Sequence, residues 1–191
     1  NFAGLMFYPP INGWYDTQIF LDKTLRGLNE LKALPAIIST GGTPNFVNIG
    51  KLRGATEHRA GTCIFNDMMM VNDGFSTLND CALTIFTSVV SRAGAERGIL
   101  DAGSKSLTYD TGDLVGHGHI LEYPDAAIFK LAEEHGFLNL SKCSVKPEIG
   151  DIVRIIPNHA CVVANMVDTL VAVRGDKIID VVPVEARGKL V

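Results

Sequence analysis

An apolar run over residues 2–8, FAGLMFY, predicts a buried strand that Pro9, Pro10 and the turn INGW bring to a close. The period then changes. Over residues 15–34, Phe20, Leu21, Thr24, Leu25, Leu28 and Leu31 recur at the spacing of one helix face, and Pro35 ends the pattern. AIIS (36–39) reads as a second short buried strand, TGGTPN follows it at once, and a short helix is expected over 44–51. Strand, helix, strand and glycine turn in that order predict a βαβ unit. From about residue 60 the pattern becomes mostly β. ALTIFTSVVSR, ERGILDAGS, AAIFKLAEEHG, DIVRIIPNHACVVANMV, TLVAVRG and KIIDVVPVEARG are rich in β-branched residues and are punctuated by Gly, Asp or Pro. RGDK at the centre of LVAVRGDKIIDVV marks a hairpin. The expected division is an α/β piece over residues 1–58 and a β-rich domain over 59–191.

Composition narrows the function classes. With 191 residues, of which 47% are hydrophobic, the chain can bury a sizeable core. Its formal net charge of −4, without a basic block, leaves no electrostatic footprint for nucleic acid. No stretch has the length and apolarity of a membrane span, and the N-terminus lacks a secretory layout. Cys63, Cys81, Cys143 and Cys161 are too dispersed for a disulfide scaffold, so a reducing, cytoplasmic setting and a small-molecule partner are expected. Because the chain starts at Asn1 directly in an apolar strand pattern, a further upstream segment is expected as well.

Two stretches carry candidate chemistry. In STGGTP, two glycines at a strand end let backbone N–H groups turn toward an anion while Ser39, Thr40 and Thr43 add hydroxyl donors; a plain turn is the alternative. The motif lacks the Lys-Ser/Thr of a nucleotide P-loop. In IIPNHACVVANMV (155–167), His159 and Cys161 are two apart, which in a strand puts imidazole and thiol on one face as a pair of zinc ligands. On pattern alone, a buried cysteine packing beside a hydrogen-bonded histidine is preferred. A Cys-His nucleophilic pair is a third reading, without an evident orienting partner. His117 and His119 in VGHGHI fit a loop or metal ligands, AEEHG (132–136) reads as a charged helix end, and MMM (68–70) reads as core filler.

Taken together, GLMFYP, STGGTP, TEHRAGTCIFND, DCALTIFTSVVSR, ILDAGSKSL, EEHG and IPNHAC resemble, in order, the D-serine dehydratase and D-threonine aldolase family. The resemblance implies an alanine racemase-like fold of α/β class, with the last strands and helices of a (β/α)8 barrel followed by a β-rich C-terminal domain. It implies a homodimer, pyridoxal 5′-phosphate whose phosphate sits at Ser39, Thr40, Gly41, Gly42 and Thr43, and zinc at His159 and Cys161. That reverses the preference for the packing reading of the pair. The implied activity is removal of water and ammonia from a β-hydroxy D-amino acid of the D-serine or 3-hydroxyaspartate type, with D-threonine-type aldol cleavage as the alternative. Aldolases of the family tend to carry aspartate where Cys161 stands, and the family usually has tyrosine where Cys63 stands. The family's imine-forming lysine lies on the first barrel strand, upstream of anything here. Lys105 is not assigned that role, so the catalytic group stays unassigned and the isolated chain is expected to lack lyase activity. A non-catalytic β-rich binding module is the reading from another class.

Overall fold

The opening apolar run contributes only three ladder residues, β1 (Gly4–Met6), before Pro9 and Pro10 turn the chain. A computed structural model describes residues 2–189, and the chain divides after Ile64 into two units. In the first, α1 (Trp14–Glu30) connects β1 to β2 (Ile37–Gly41), a 3-10 helix spans Thr43–Lys51, and β3 (Glu57–Arg59) follows. β2 lies between β1 and β3 and is parallel to both; its pairing with β1 across α1 is the βαβ unit that the pattern predicted. The third strand thus belongs to the first unit, so the division falls six residues later than the pattern placed it.

Helix α1 ends before residue 34 because Lys32 turns left-handed, at φ 53°, and the Ala33 N–H closes on the Leu28 carbonyl at 2.9 Å. Its buried stripe also differs from the expected face. Trp14, Thr17 and Leu21 point inward and Trp14, Leu21, Ile38 and Leu52 form the core, whereas Phe20 and Leu31 are exposed.

The second unit begins with α2 (Met68–Asn72), β4 (Ile85–Arg92), β5 (Arg97–Leu100) and α3 (Ser104–Leu107). β6 (His119–Ile120), β7 (Ala127–Leu131), β8 (Gly136–Asn139) and β9 (Ile152–Ile156) follow. These strands form one antiparallel sheet in the order β6-β9-β4-β5-β8-β7. Alternating positions of the strands, among them Val89, Leu100, Ile128, Leu138, Val153 and Ile155, build its core. AEEHG is the tight connection from β7 to β8, not a helix end: Ala132 N–H reaches the His135 carbonyl at 2.8 Å. Met70 is buried in α2, as the core-filler reading expected.

After β9 comes α4 (Ala160–Asn165), then the hairpin β10 (Thr169–Arg174) and β11 (Lys177–Pro183) with its two-residue turn at Gly175 and Asp176. The apolar run 155–167 is therefore not one strand. Pro157 has no N–H for the ladder, the strand stops at Ile156, and Ala160 with Val163, three apart, become the buried face of a helix. Among the described residues no helix is long and apolar enough to cross a membrane.

Candidate functional site

At the C-terminal end of β2 the ladder register sets Gly41 beside Arg59 of β3. A Cβ on Gly41 would lie 2.7 Å from Cε1 of Tyr8 and 3.2 Å from Nη2 of Arg59, so only glycine lets these two side chains close over the strand end. Arg59 stacks on the Tyr8 ring at 4.8 Å, donates from Nη1 to the Tyr8 hydroxyl at 3.0 Å and from Nε to Ser39 Oγ at 2.9 Å. Its Nη2 is buried without a hydrogen-bond partner among the described residues, and so is the Thr43 hydroxyl oxygen. Buried donors of this kind are rare unless something else occupies their hydrogen bonds.

The five residues of the loop do not contribute alike. The Gly42 carbonyl can only accept, so His58 Nε2, at 3.1 Å, carries the hydrogen and His58 Nδ1 accepts from the Thr40 hydroxyl at 2.8 Å. Thr40 is fully buried, and its one hydroxyl proton faces two acceptors within the fold, His58 Nδ1 at 2.8 Å and the Glu57 carbonyl at 3.4 Å. The Gly42 N–H is likewise engaged, by the Arg59 carbonyl at 3.2 Å. Ser39 keeps its own hydroxyl proton, and Thr43 and Arg59 keep free donors. The cradle that remains is Ser39, Thr43 and the Arg59 guanidinium around two small glycines. Its donor chemistry suits a phosphate.

In the second unit His159 is the residue before α4 and Cys161 the second residue of that helix. They stand at a helix start, so the strand alternation that would put both on one face does not apply to them. Four hydrogen bonds fix this turn. The Met68 and Met69 N–H groups donate to the carbonyls of Pro157 and Asn158 at 3.1 and 3.2 Å. The buried Asp67 carboxylate accepts the Met70 N–H at 3.1 Å through one oxygen and the Ala160 N–H at 2.9 Å through the other, capping α2 and α4 at once. Asn158 Nδ2 donates to the Gly116 carbonyl at 2.8 Å.

His159 Nδ1 lies 2.6 Å from Asp110 Oδ2. A carboxylate accepts only, so Nδ1 carries the hydrogen, and in the neutral imidazole the lone pair is then on Nε2. Cys161 is exposed. Imidazole nitrogen and thiol, with a carboxylate behind the imidazole, form a donor set suited to zinc. Among the described residues no three His, Cys, Asp or Glu side chains gather as a metal site.

Burial pushes the imidazoles of His117 and His119 below the ordinary histidine range. His119 sits in the β6 ladder opposite Ile156, and His117 meets the Tyr109 ring edge-on at 5.6 Å. Lys105 pairs with Glu134 at 2.7 Å and Glu133 at 3.1 Å, both exposed. Cys63 lies half-buried in a 3-10 turn over Thr62–Ile64. Sequence reasoning did not single out Tyr8, His58, Arg59, Asp67 or Asp110. Arg59 depends on strand register, and Asp110 stands 49 residues from His159; no local pattern announces either.

Comparison with known proteins agrees with the motifs. Residues 82–173 match the model of the putative serine dehydratase domain. An uncharacterized protein of Mycobacterium tuberculosis is 39% identical over 115 residues, which is 58% of this chain and 86% of that protein. D-threo-3-hydroxyaspartate dehydratase of Delftia sp. is 31% identical over 143 residues, 65% of this chain and 37% of the enzyme. A cysteine-to-alanine variant of D-threo-3-hydroxyaspartate dehydratase, solved in a metal-free form, superposes with a TM-score of 0.76 at 22% identity, over 95% of this chain and 55% of that one. D-threonine aldolase from Filomicrobium marinum superposes with a TM-score of 0.84 at 24% identity, covering all of this chain and 55% of the aldolase. The chain thus spans about half, or less, of these named enzymes. Matched in sequence to the dehydratases and aldolases and in fold to the alanine racemase-like proteins, the chain belongs to the D-serine dehydratase and D-threonine aldolase family.

Proposed function

We propose that this chain is part of a pyridoxal phosphate-dependent, zinc-assisted lyase acting on a β-hydroxy D-amino acid, of the D-serine or 3-hydroxyaspartate dehydratase type. In this reading β1, β2 and β3 are strands of a (β/α)8 barrel. The observation that carries the cofactor half is the pair of buried, unpartnered donors, Thr43 Oγ1 and Arg59 Nη2, at the glycine end of β2. Ser39, Thr43 and Arg59 hold the phosphate; Gly41 and Gly42 keep the approach open, and Thr40 holds His58 and, through it, the Gly42 carbonyl. His159 Nε2 and the Cys161 thiolate hold the metal. Two protein ligands leave coordination positions for water or a substrate hydroxyl. When bound, the cofactor supplies an electron sink for the charge left at Cα and the metal a Lewis acid for the β-hydroxyl. None of β1, β2 and β3 carries a lysine, so the imine-forming residue is not assigned to them.

Two variants test the halves separately. Gly41→Ala drives a methyl group into Tyr8 and Arg59, and retention of pyridoxal phosphate by the chain is expected to fall by about tenfold, the loss of one charge-assisted hydrogen bond. Unchanged retention, read by cofactor absorbance after gel filtration, sinks the cradle. His159→Ala combined with Cys161→Ala is expected to abolish zinc binding as read by metal analysis of the purified chain; zinc retained at wild-type stoichiometry sinks the metal pair. For the reaction, 2-keto acid and ammonia from D-serine or D-threo-3-hydroxyaspartate support a dehydratase, and glycine with an aldehyde from D-threonine supports an aldolase. Cys161, in place of the aldolases' aspartate, favours the first.

A further inference from the structure

The segment that presents Asp110 is built at a conformational cost. Thr108 caps α3 at φ 62°, ψ 171°, a region that is essentially glycine's and that strains a β-branched residue. It is nonetheless buried and held from several sides. Its N–H closes on the Ser104 carbonyl at 3.0 Å, and its hydroxyl accepts the Asp110 N–H at 2.7 Å. Next to it the Tyr109 hydroxyl donates to the Leu131 carbonyl at 2.7 Å, tying the segment to the end of β7. A strained turn anchored on both sides leaves Asp110 as the residue it delivers, and Oδ2 of Asp110 meets His159 Nδ1 at 2.6 Å. The opposite side of the same histidine turn is held by Asp67, Met68 and Met69.

We propose that Asp110 is a positioning residue for the metal pair: its carboxylate accepts the Nδ1 hydrogen of His159 and so, in the neutral imidazole, leaves the lone pair on Nε2 as the donor to a divalent cation of zinc type. The inference rests on the metal reading of His159 and Cys161 given above. It adds what the sequence lacked, an orienting partner for the histidine. A free neutral imidazole favours the tautomer with hydrogen on Nε2, which blocks that nitrogen as a ligand; Asp110 reverses the preference. Removing such an outer partner typically weakens metal affinity by about 10–100-fold.

The test uses the full 191-residue chain, stripped of metal, with Co2+ as the probe and two readouts. The first is the affinity from the thiolate-to-cobalt absorption band. The second is the tautomer of His159, read from its ring nitrogen shifts in the metal-free chain. In the unaltered chain the band forms and Nδ1 carries the hydrogen. Asp110→Ala is expected to weaken Co2+ by about 10–100-fold, keep the band at saturation and move the tautomer toward hydrogen on Nε2. In Asp110→Asn the amide oxygen still accepts from Nδ1, so the affinity falls less than in Asp110→Ala, and this variant decides the matter where alanine disturbs folding. If His159→Ala abolishes binding while Asp110→Ala changes neither affinity nor tautomer, the role of Asp110 is overturned and the metal pair stands. If Co2+ binds equally after His159→Ala and Cys161→Ala, or gives no thiolate band in the unaltered chain, the metal pair fails and takes this inference with it.

Discussion

Asp67→Ala is expected to cost the second unit about 3–6 kcal/mol, because it leaves two buried backbone donors, at Met70 and Ala160, without the charged acceptor that each has now. The loss reaches further than one cap. The two carboxylate oxygens join the starts of α2 and α4, with 93 positions between Asp67 and Ala160, and the carboxylate itself is fully buried. Asp67→Asn keeps one acceptor and turns an amide N–H₂ toward the other donor, so it recovers only part of the loss. Urea unfolding followed by far-ultraviolet circular dichroism checks this, with the midpoint expected to fall while the slope holds. Trp14, the sole tryptophan, lies in the core of the first unit, so its fluorescence follows the unfolding of that unit separately. A midpoint within the error of the unaltered chain would show that α4 stands without Asp67.

Gly103→Ala is the second large effect, expected at roughly 3 kcal/mol, the upper end of the overpacking range. A Cβ there would sit 2.4 Å from the carbonyl oxygens of both Ala132 and Glu133, backbone atoms that cannot rotate aside. The same approach lets the Ser104 and Lys105 N–H groups donate to those two carbonyls at 2.8 and 3.1 Å. The substitution therefore parts the DAGSK segment from the AEEHG turn and breaks two hydrogen bonds in doing so. By contrast the Lys105 pairs with Glu134 and Glu133 are solvent-exposed and add little. Thermal unfolding of the variant, with a midpoint unchanged from the parent chain, would refute the packing argument.

These two substitutions also mark where the sequence is readable and where it stops. The βαβ unit, the glycine turn and the β10–β11 hairpin follow from local period and turn chemistry, and the chain adopts them. The helix over 160–165 does not follow from local signals. ACVVAN is as apolar and β-branched as a strand, and what makes it helical is a carboxylate far away in the chain that accepts its first N–H. AEEHG looked like a helix end because a charged run closed by glycine fits one. Its turn is instead fixed by the ladder between β7 and β8 and by Gly103 pressed against it.

The candidate site divides in the same way. Ser39, Thr43, His159 and Cys161 stand in short motifs that can be quoted from the chain, although residues 159 and 161 lie at a helix start and not on one strand face. Thr40 reads in the motif as a phosphate donor, and only the fold shows the acceptors its hydroxyl meets, His58 Nδ1 and the Glu57 carbonyl. Arg59 and Asp110 were missed because each acts on a partner that it meets only through strand register or a long loop.

The place of Cys161 has a bearing on how chemistry diverges in such a fold. The side chain leaves the first turn of α4 toward solvent, while its neighbours Ala160 and Val163 carry the packing. Selection acting on the thiol and selection acting on the core therefore fall on different residues. In the metal reading proposed above, exchanging thiolate for carboxylate at this one position changes the donor while the packing of Ala160 and Val163 stays as it is.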